Sequence, residues 1–567
     1  MYDLEKPFHR LIHHFITRLF HGAGEGDELQ FSIPVLLGLL STPAAFGSIV
    51  LLNKYSTLAL FLRRRPYFDV YRASIPDEYF FIVYSMVITG AVVILKWDRL
   101  FPDRQDYDNL AVLPISGRQM FQANLIAILF LAVLFAVDIN WAACIIFPFA
   151  VTSRYDTFAA YSEFFIAHGT AMVLSSIFAC FGLLSILGLT MLVTPRRFLQ
   201  KASLLVRITC ALGLVAILGS AFTIPLTLLS PEPPNWLSYL PPVWFLELNQ
   251  ALLNQGRALT GTAIWSVEAV VGVFILAIGI YAATYRRQFM RIPEQTGLAP
   301  VGGRDEPTLT RRLIEWAVVR SPFQRATYYF AFRTLFRSER HSLLLGTSVG
   351  AGFFVAAQAF SEALAAPVRS GVLDQRLLSI PLILTYVMVV SLRALFDLPT
   401  DRRANWVFRA IVDKRRHEAR PLAAKILLTM IVPWLVLVAT PLHIHKWGWR
   451  IGLLHTGWVL LCTVLLVELL LIGFRKIPFT CTQTASKDRI LVMLILFLVG
   501  LSVFSSTNTW WEVALLRAPL RFLFVVPWFL AVFLILRSRE RDLIDSDRVL
   551  VFEDRPAAVL QPIDLSH

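Results

Sequence analysis

MFQANLIAILFLAVLFAVDINWAACIIFPFA, residues 120–150, contains one ionisable side chain, Asp138. About 20 apolar residues in helical conformation span the hydrocarbon core of a bilayer, so this stretch is long and apolar enough to cross. Eleven others read the same way. They are 31–52, 79–95, 164–193, 208–229 and 262–284 before a basic linker, and 341–360, 377–392, 423–442, 452–474, 490–507 and 514–536 after it. The sequence predicts an all-α polytopic membrane protein with twelve membrane helices in two sets of six. Duplicated helical units build transport paths at the interface of two pseudo-equivalent halves, so movement of a solute across a membrane is the first functional expectation.

Composition points the same way. Hydrophobic residues make up 56% of the chain, charged residues 16%, and the mean hydropathy is +0.62, whereas soluble domains are about a quarter charged. Cys144, Cys180, Cys210, Cys462 and Cys481 lie in or beside apolar stretches with no CxxC spacing. That pattern argues against a disulfide framework or a zinc site and reads as small buried apolar residues. The net charge of +14 raises nucleic acid as a partner, but its distribution tracks membrane topology. With both termini cytoplasmic, 39 Lys and Arg residues fall in inner segments and 11 in outer loops, as the positive-inside rule requires. The loop 53–78 dissents, with Lys54, Arg63, Arg64, Arg65 and Arg72 on the outer side. Either Tyr55–Leu62 dips back toward the membrane or the first helix is misplaced. Residues 1–20 lack the continuous apolar core of a signal peptide. The expected location is a bacterial cytoplasmic (inner) membrane, with both termini cytoplasmic.

Four segments organise the chain: a first six-helix half over 1–285 opened by an interfacial helix within 1–21, a cytoplasmic linker at 286–320, a second half over 321–537, and a cytoplasmic tail at 538–567. Phe8, Leu11, Ile12, Phe15, Ile16 and Leu19 recur at helical spacing opposite His9, Arg10, His13, His14 and Arg18, the signature of a helix lying in the membrane surface. His9 and His13 are four apart, a weak metal signal without a third ligand. The second half opens similarly with SPFQRATYYFAFRTLFRSER (321–340), where Tyr329, Phe332 and Phe336 can share a face. The linker carries Pro293, Pro300, Gly302, Gly303 and Pro307, loop-forming residues. WDRLFPDRQDYDNLAVLPISGRQMFQAN (97–124) and LFDLPTDRRANWVFRAIVDKRRHEARPLAAK (395–425) occupy matching places. Each has an aromatic residue, a proline turn with Asp, then Arg, and an Asn before an apolar residue. The basic loops 194–203 and 474–487 also correspond, and so do His168 and His455.

At these loops the chain resembles a family. WDRLFPDRQDYDNLAVLPIS, followed by QMFQANLIAIL, is similar to the stretch ending LP(I/V)S that precedes a membrane helix in permease subunits of ABC-type exporters of the type-2 class. YLPPVWFLELNQAL (239–252) is similar to the Pro-rich, Trp-Phe-containing outer segment of such permeases. SERHSLLL (338–345) and RRANWVFR (402–409) resemble a subgroup of large fused permeases. The resemblance implies six helices per half, an interfacial elbow helix before the first, a cytoplasmic coupling loop after the second, and an ATPase that carries ATP and Mg. A P-loop needs a Gly-Lys pair to cradle phosphates, and no Gly-Lys dipeptide occurs. The ATPase is therefore expected in trans, with no cofactor and no catalysis in this chain. Two halves in one chain remove the need for a homodimer.

The expected ATPase-coupling residues are Asp103, Arg104, Asp106, Asp108, Leu110, Leu113 and Pro114 in the first loop, and Asp401, Arg402, Arg403, Asn405 and Trp406 in the second. The charges would dock a soluble motor, the leucines would give it an apolar seat, and Pro114 would end a short helix. Ionisable residues inside membrane stretches are costly and count as functional candidates. Asp138 is either a polar contact on the path or the point where its helix leaves the membrane. Glu268 reads as a solvated side chain near the outer end of its helix, Glu468 as snorkelling or paired near Arg475, and Lys425 as snorkelling. The resemblance suggests a translocation path lined by the first, second and fifth helices of each half. Gly213, Gly219, Gly346, Gly350 and Gly352 on those helices permit close packing. Two rivals stand beside the exporter permease. One is an ion-gradient-driven twelve-helix transporter, opposed by the lack of an evident buried acid–base relay. The other is a non-transporting membrane scaffold.

Overall fold

A computed structural model describes residues 5–20, 33–62, 70–97, 100, 115–152, 157–229, 234–253, 261–289, 314–316, 318–365, 374–400, 408, 419–480 and 496–546. Among these residues there is no strand. Contacts divide the chain into two compact units, Met1–Val301 and Gly302–His567.

The first unit contains α1 (Glu5–Phe20), α2 (Ile33–Leu62), α3 (Val70–Leu95), α4 (Gly117–Thr152), α5 (Phe158–Val193), α6 (Arg196–Thr223), α7 (Pro241–Leu253) and α8 (Gly261–Phe289). Contacts fix their directions. Lys54 meets Asp77 and Tyr84 meets Leu40, so α2 and α3 are antiparallel. Phe147 packs on Phe164 and Asn140 bonds Ser176, so α4 and α5 are antiparallel. Tyr79 bonds Ser220 and Trp97 bonds Ser203, which sets α6 against α3. Phe181 packs on Phe274 and Thr284 bonds the Gly188 carbonyl, which lays α8 parallel to α5. The five long helices after α2 are all apolar enough to cross a membrane.

Helix α4 shows why lipid is the solvent. Phe130, Val133, Val137, Trp141, Ile145 and Phe149 are exposed at helical spacing on one face. Ala127, Phe135, Ala136, Ile139, Ala143 and Phe147 are buried on the other. From Phe130 to Phe149 the stripe rises about 29 Å along the helix, close to the thickness of a hydrocarbon core. Asp138 lies on this helix, which continues unbroken past it to Thr152. Of the two alternatives at Asp138, a break in the helix does not occur, because VDINW carries no residue that interrupts helical hydrogen bonding. The loop expected at 53–78 is also corrected. α2 runs through Leu62 and α3 starts at Val70, so Lys54 is a helical residue, paired with Asp77 at 2.5 Å. Arg63, Arg64 and Arg65 lie outside the described residues. The fifth apolar segment shifts toward the N-terminus, to Lys201–Ala221.

The second unit contains α9 (Pro322–Arg337), α10 (Glu339–Ala365), α11 (Gln375–Leu395), α12 (Ala419–Trp434), a π-turn (Leu435–Ala439), α13 (Thr440–Leu470), α14 (Leu501–Leu516) and α15 (Phe522–Ser546). α10 and α11 qualify as spans, and so does the helical run Ala419–Leu470, which brings the number of candidate spans among the described residues to 8. That run is 52 residues long, and it turns back on itself. Gly448 has φ 82° and ψ 164°, a backbone region open essentially to glycine alone. Beyond it the chain reverses, so Thr440 Oγ1 lies 3.0 Å from Thr456 Oγ1. On a straight helix residues 16 apart are separated by about 24 Å. An ideal Cβ on Gly452 would come within 2.8 Å of the Ile444 backbone nitrogen, so the two arms touch through backbone. The expected stretches 423–442 and 452–474 are thus antiparallel arms of one folded run. Helix α15 continues to Ser546, so the expected tail at 538–567 begins as helix.

Both amphipathic segments form helices. Leu11, Phe15 and Leu19 of α1 are buried, with α1 packed on α4, while His9, Arg10, His13 and His14 are exposed. α9 is capped by Ser321, whose Oγ accepts from the Gln324 amide at 3.2 Å, with Pro322 at the first helical position. Its buried face is Thr327, Tyr328, Ala331, Thr334 and Leu335; Tyr329 and Phe332 pack partly buried beside it, and Phe336, in ring contact with Phe332, is exposed. Tyr328 donates to Thr429 Oγ1 at 3.1 Å, and burial raises the pKa of its phenol, which stays a donor.

Candidate functional site

The segments expected to couple a motor to the membrane leave the described structure at residues 101–114, 401–407 and 409–418. Asp103, Arg104, Asp106, Asp108, Leu110, Leu113, Pro114, Asp401, Arg402, Arg403, Asn405 and Trp406 all lie outside the described residues. Their roots are described, and they are tightly held. In the first unit the Leu100 carbonyl accepts from Asn124 Nδ2 of α4 and the Tyr281 hydroxyl of α8, both at 3.3 Å. Asn124 and Tyr281 also bond each other. Trp97 Nε1 donates to Ser203 of α6 at 3.0 Å, and the Arg207 guanidinium sits over its ring. The segment re-enters the fold through a reciprocal cap: the Ser116 amide donates to Gln119 Oε1, and the Gln119 amide to Ser116 Oγ, the pattern of a capping box.

In the second unit the root is held differently. Asp397 pairs with Arg393 at 2.9 Å and approaches Lys476 at 3.9 Å. The Phe479 amide donates to the Phe396 carbonyl and the Thr400 amide to the Phe479 carbonyl, both at 3.1 Å. His341 Nε2 lies 3.1 Å from the Leu398 carbonyl. Phe479 makes these bonds at φ 68°, an unfavourable region for a side chain of its size. Its ring is fully buried between Phe396 and His341, and this packing holds the backbone there.

Among the described residues, buried or largely buried ionisable groups meet within the helices at Glu78, at Arg420–Glu468 and at His455–Glu512. Glu78, at the start of α3, accepts from Ser74, from Asn249 Nδ2 at 2.8 Å and from Gln250 Nε2 at 2.5 Å. Both amides belong to α7, so the carboxyl staples the α7 segment to the helix bundle. Arg420 of α12 binds Glu468 of α13 at 2.5 Å. His455 of α13 bonds Glu512 of α14, and the His443 ring lies 4.4 Å from that of His455.

Other expected candidates are placed one by one. Glu468 is paired as one of its alternatives held, but with Arg420 rather than Arg475. Lys425 reaches Gln324 Oε1 of α9 at 2.8 Å. Glu268 is exposed on α8. Asp138 is half-buried, and its Oδ2 has no hydrogen-bond partner among the described residues. Gly219 of α6 and Gly350 of α10 are half-buried and belong to separate units. Of the expected packing glycines, Gly352 sits against Val387, whereas an added Cβ at Gly213 meets open space. His168 and His455 match in sequence but not in chemistry. His168 is buried among Phe81, Phe147 and Phe164, with neither ring nitrogen bonded, while His455 faces a carboxylate.

Glu78 and Glu512 were missed because both fall where outer loops were expected. Their partners are 171 and 57 residues away, beyond any local pattern. Asn249→Leu is expected to destabilise the first unit by about 2 kcal/mol, because it leaves a buried carboxyl short of a donor. Thermal unfolding of the full chain in detergent measures it, and Glu78→Leu/Asn249→Leu should lose less than Asn249→Leu alone. An equal loss in both would show that the bond does not hold the segment.

Eight long apolar helical stretches make this a multi-pass membrane protein. Compared with known proteins, the chain matches no family model, no curated protein and no solved structure.

Proposed function

We propose that this chain is the membrane-spanning permease subunit of an ATP-binding-cassette exporter, driven by a separate ATPase that carries ATP and Mg. The observation that carries this reading is the anchoring of the two segment roots. A motor can move membrane helices only through what it touches. Leu100 is tied to α4 and α8, and Thr400 to the loop after α13. Force applied to 101–114 or 401–418 therefore reaches several helices instead of bending a loop. Also in support, α1 packs its apolar face on α4 and turns its basic face outward. In this reading the chain crosses an inner membrane twelve times as two six-helix repeats, with both termini cytoplasmic, and the partner docks on 98–118 and 397–420.

Cysteines at Asp106 or Arg403 are expected to crosslink to a co-purified ATPase. An intact complex in which neither position crosslinks would overturn the docking assignment. One observation favours the ion-gradient alternative: Glu78 and the His455–Glu512 pair are buried ionisable groups of the kind that relay was said to lack. Collapsing ion gradients across sealed vesicles supplied with ATP separates the two readings. Export continues in the first and stops in the second.

A further inference from the structure

His443 and His455, on opposite arms of the folded run Ala419–Leu470, pack together, and His455 meets Glu512 of α14. His455 and Glu512 are fully buried, and His443 is 8% exposed. His455 Nδ1 and Glu512 Oε1 bond each other. His455 Nε2, Glu512 Oε2 and His443 Nδ1 are buried with no hydrogen-bond partner among the described residues. The His443 and His455 rings pack edge to face, and Trp447 covers both. We propose that Glu512, His455 and His443 form a proton-binding site that loads from the Gly448 corner.

The argument begins with charge. A lone carboxylate buried among apolar helices is costly, and a carboxylate–imidazole pair becomes neutral when it holds one extra proton. Imidazole can take a proton at one nitrogen and release one from the other. A proton added at His455 Nε2 therefore frees the Nδ1 proton for Glu512, leaving a neutral imidazole and a carboxylic acid. His443 is the neighbour able to deliver it. It lies five residues before Gly448, and His445, Lys446 and Arg450 at the corner are exposed, so the chain of rings runs from the surface inward.

The surroundings leave few other carriers. Cys462 Sγ and Trp458 Nε1 both donate to Asn508 of α14. Thr509 follows on the same helix, and Thr440 and Thr456 bond each other. α11 and α15 bring Leu382 and Phe529 to this region, and the π-turn brings Leu435 and Ala439. The inference does not depend on which energy source drives transport.

The test is infrared difference spectroscopy on the full chain in lipid nanodiscs, acidified across the range of about pH 8 to 5 in which imidazole titrates. Wild type is expected to gain the carbonyl band of a protonated carboxyl in a dry environment. Glu512→Gln should lose that band and Glu78→Gln should keep it. His443→Gln should slow its hydrogen–deuterium exchange by about a hundredfold, the scale of a positioned proton-transfer group. The proposal is overturned if wild type shows no such titrating band, or if Glu512→Gln retains it. Unchanged exchange in His443→Gln overturns the entry route. If Glu512→Gln does not purify folded, His455→Gln decides: a shifted band supports the pairing, and an unshifted one rejects it.

Discussion

Gly448→Val is expected to break the fold-back of the run Ala419–Leu470, at a cost of about 3 kcal/mol from backbone strain alone. The residue sits at φ 82° and ψ 164°, where a β-branched side chain collides with its own backbone. Gly452→Val attacks the same corner from the other arm. Its Cβ would lie 2.8 Å from the Ile444 nitrogen and 2.9 Å from the Ile444 Cα, and backbone cannot swing aside as a side chain can. The fold-back itself can be read directly. A Thr440→Cys/Thr456→Cys pair should oxidise readily with Gly448 present, since the two hydroxyls are 3.0 Å apart, and should fail to oxidise beside Gly448→Val. Gly457→Ala serves as the control, because its added Cβ meets nothing within 4 Å. Oxidation that persists in Gly448→Val, with an unchanged unfolding temperature, would show that something other than this glycine sets the turn.

Arg420→Ala is the second large loss expected. It strands Glu468, whose side chain is 14% exposed, at a cost whose upper limit is the roughly 3–5 kcal/mol of removing one partner from a fully buried pair. Arg420 also donates through Nε to the Leu471 carbonyl at 3.3 Å, so the C-terminal turn of α13 loses a bond as well. Glu468→Gln should cost less, because the amide oxygen still accepts. Arg420→Met/Glu468→Leu should recover most of the loss, because no charge is then left unpaired. Unfolding temperatures of the four proteins in one detergent give the comparison. A double variant as unstable as Arg420→Ala would mean that the arginine acts through packing and not through its charge.

These clusters show where sequence reading stopped. The apolar spacing of 120–150 was legible because lipid-facing and core-facing positions are both apolar along α4. The amphipathic pattern at Leu11, Phe15 and Leu19 was legible because it is periodic within one helix. In α9 the periodicity left open which face is buried. Tyr329, Phe332 and Phe336 share a helical face in sequence, but the neighbouring helix α12 offers Thr429 to Tyr328, and that bond is visible only in three dimensions. Glu468 was legible as a paired carboxylate, but its partner was not, since Arg420 is 48 residues away. The loop drawn at 53–78 failed for a related reason. Lys54 looks like a loop cation until Asp77 neutralises it.

The sequence by itself determined that this is a helical membrane protein, because bilayer thickness converts apolar length directly into crossings, and length is a local property of the chain. It also located the amphipathic helices and the reversal between 423–442 and 452–474. Only the tertiary structure decided how that reversal is made, through a glycine at positive φ with backbone packed on backbone. It alone brought Glu78 to Asn249, Arg420 to Glu468, and His455 to Glu512. Apolar side chains set how much surface a helix buries and are nearly interchangeable, whereas a buried polar group needs one particular partner, and that partner is chosen by the packing of helices distant in the chain.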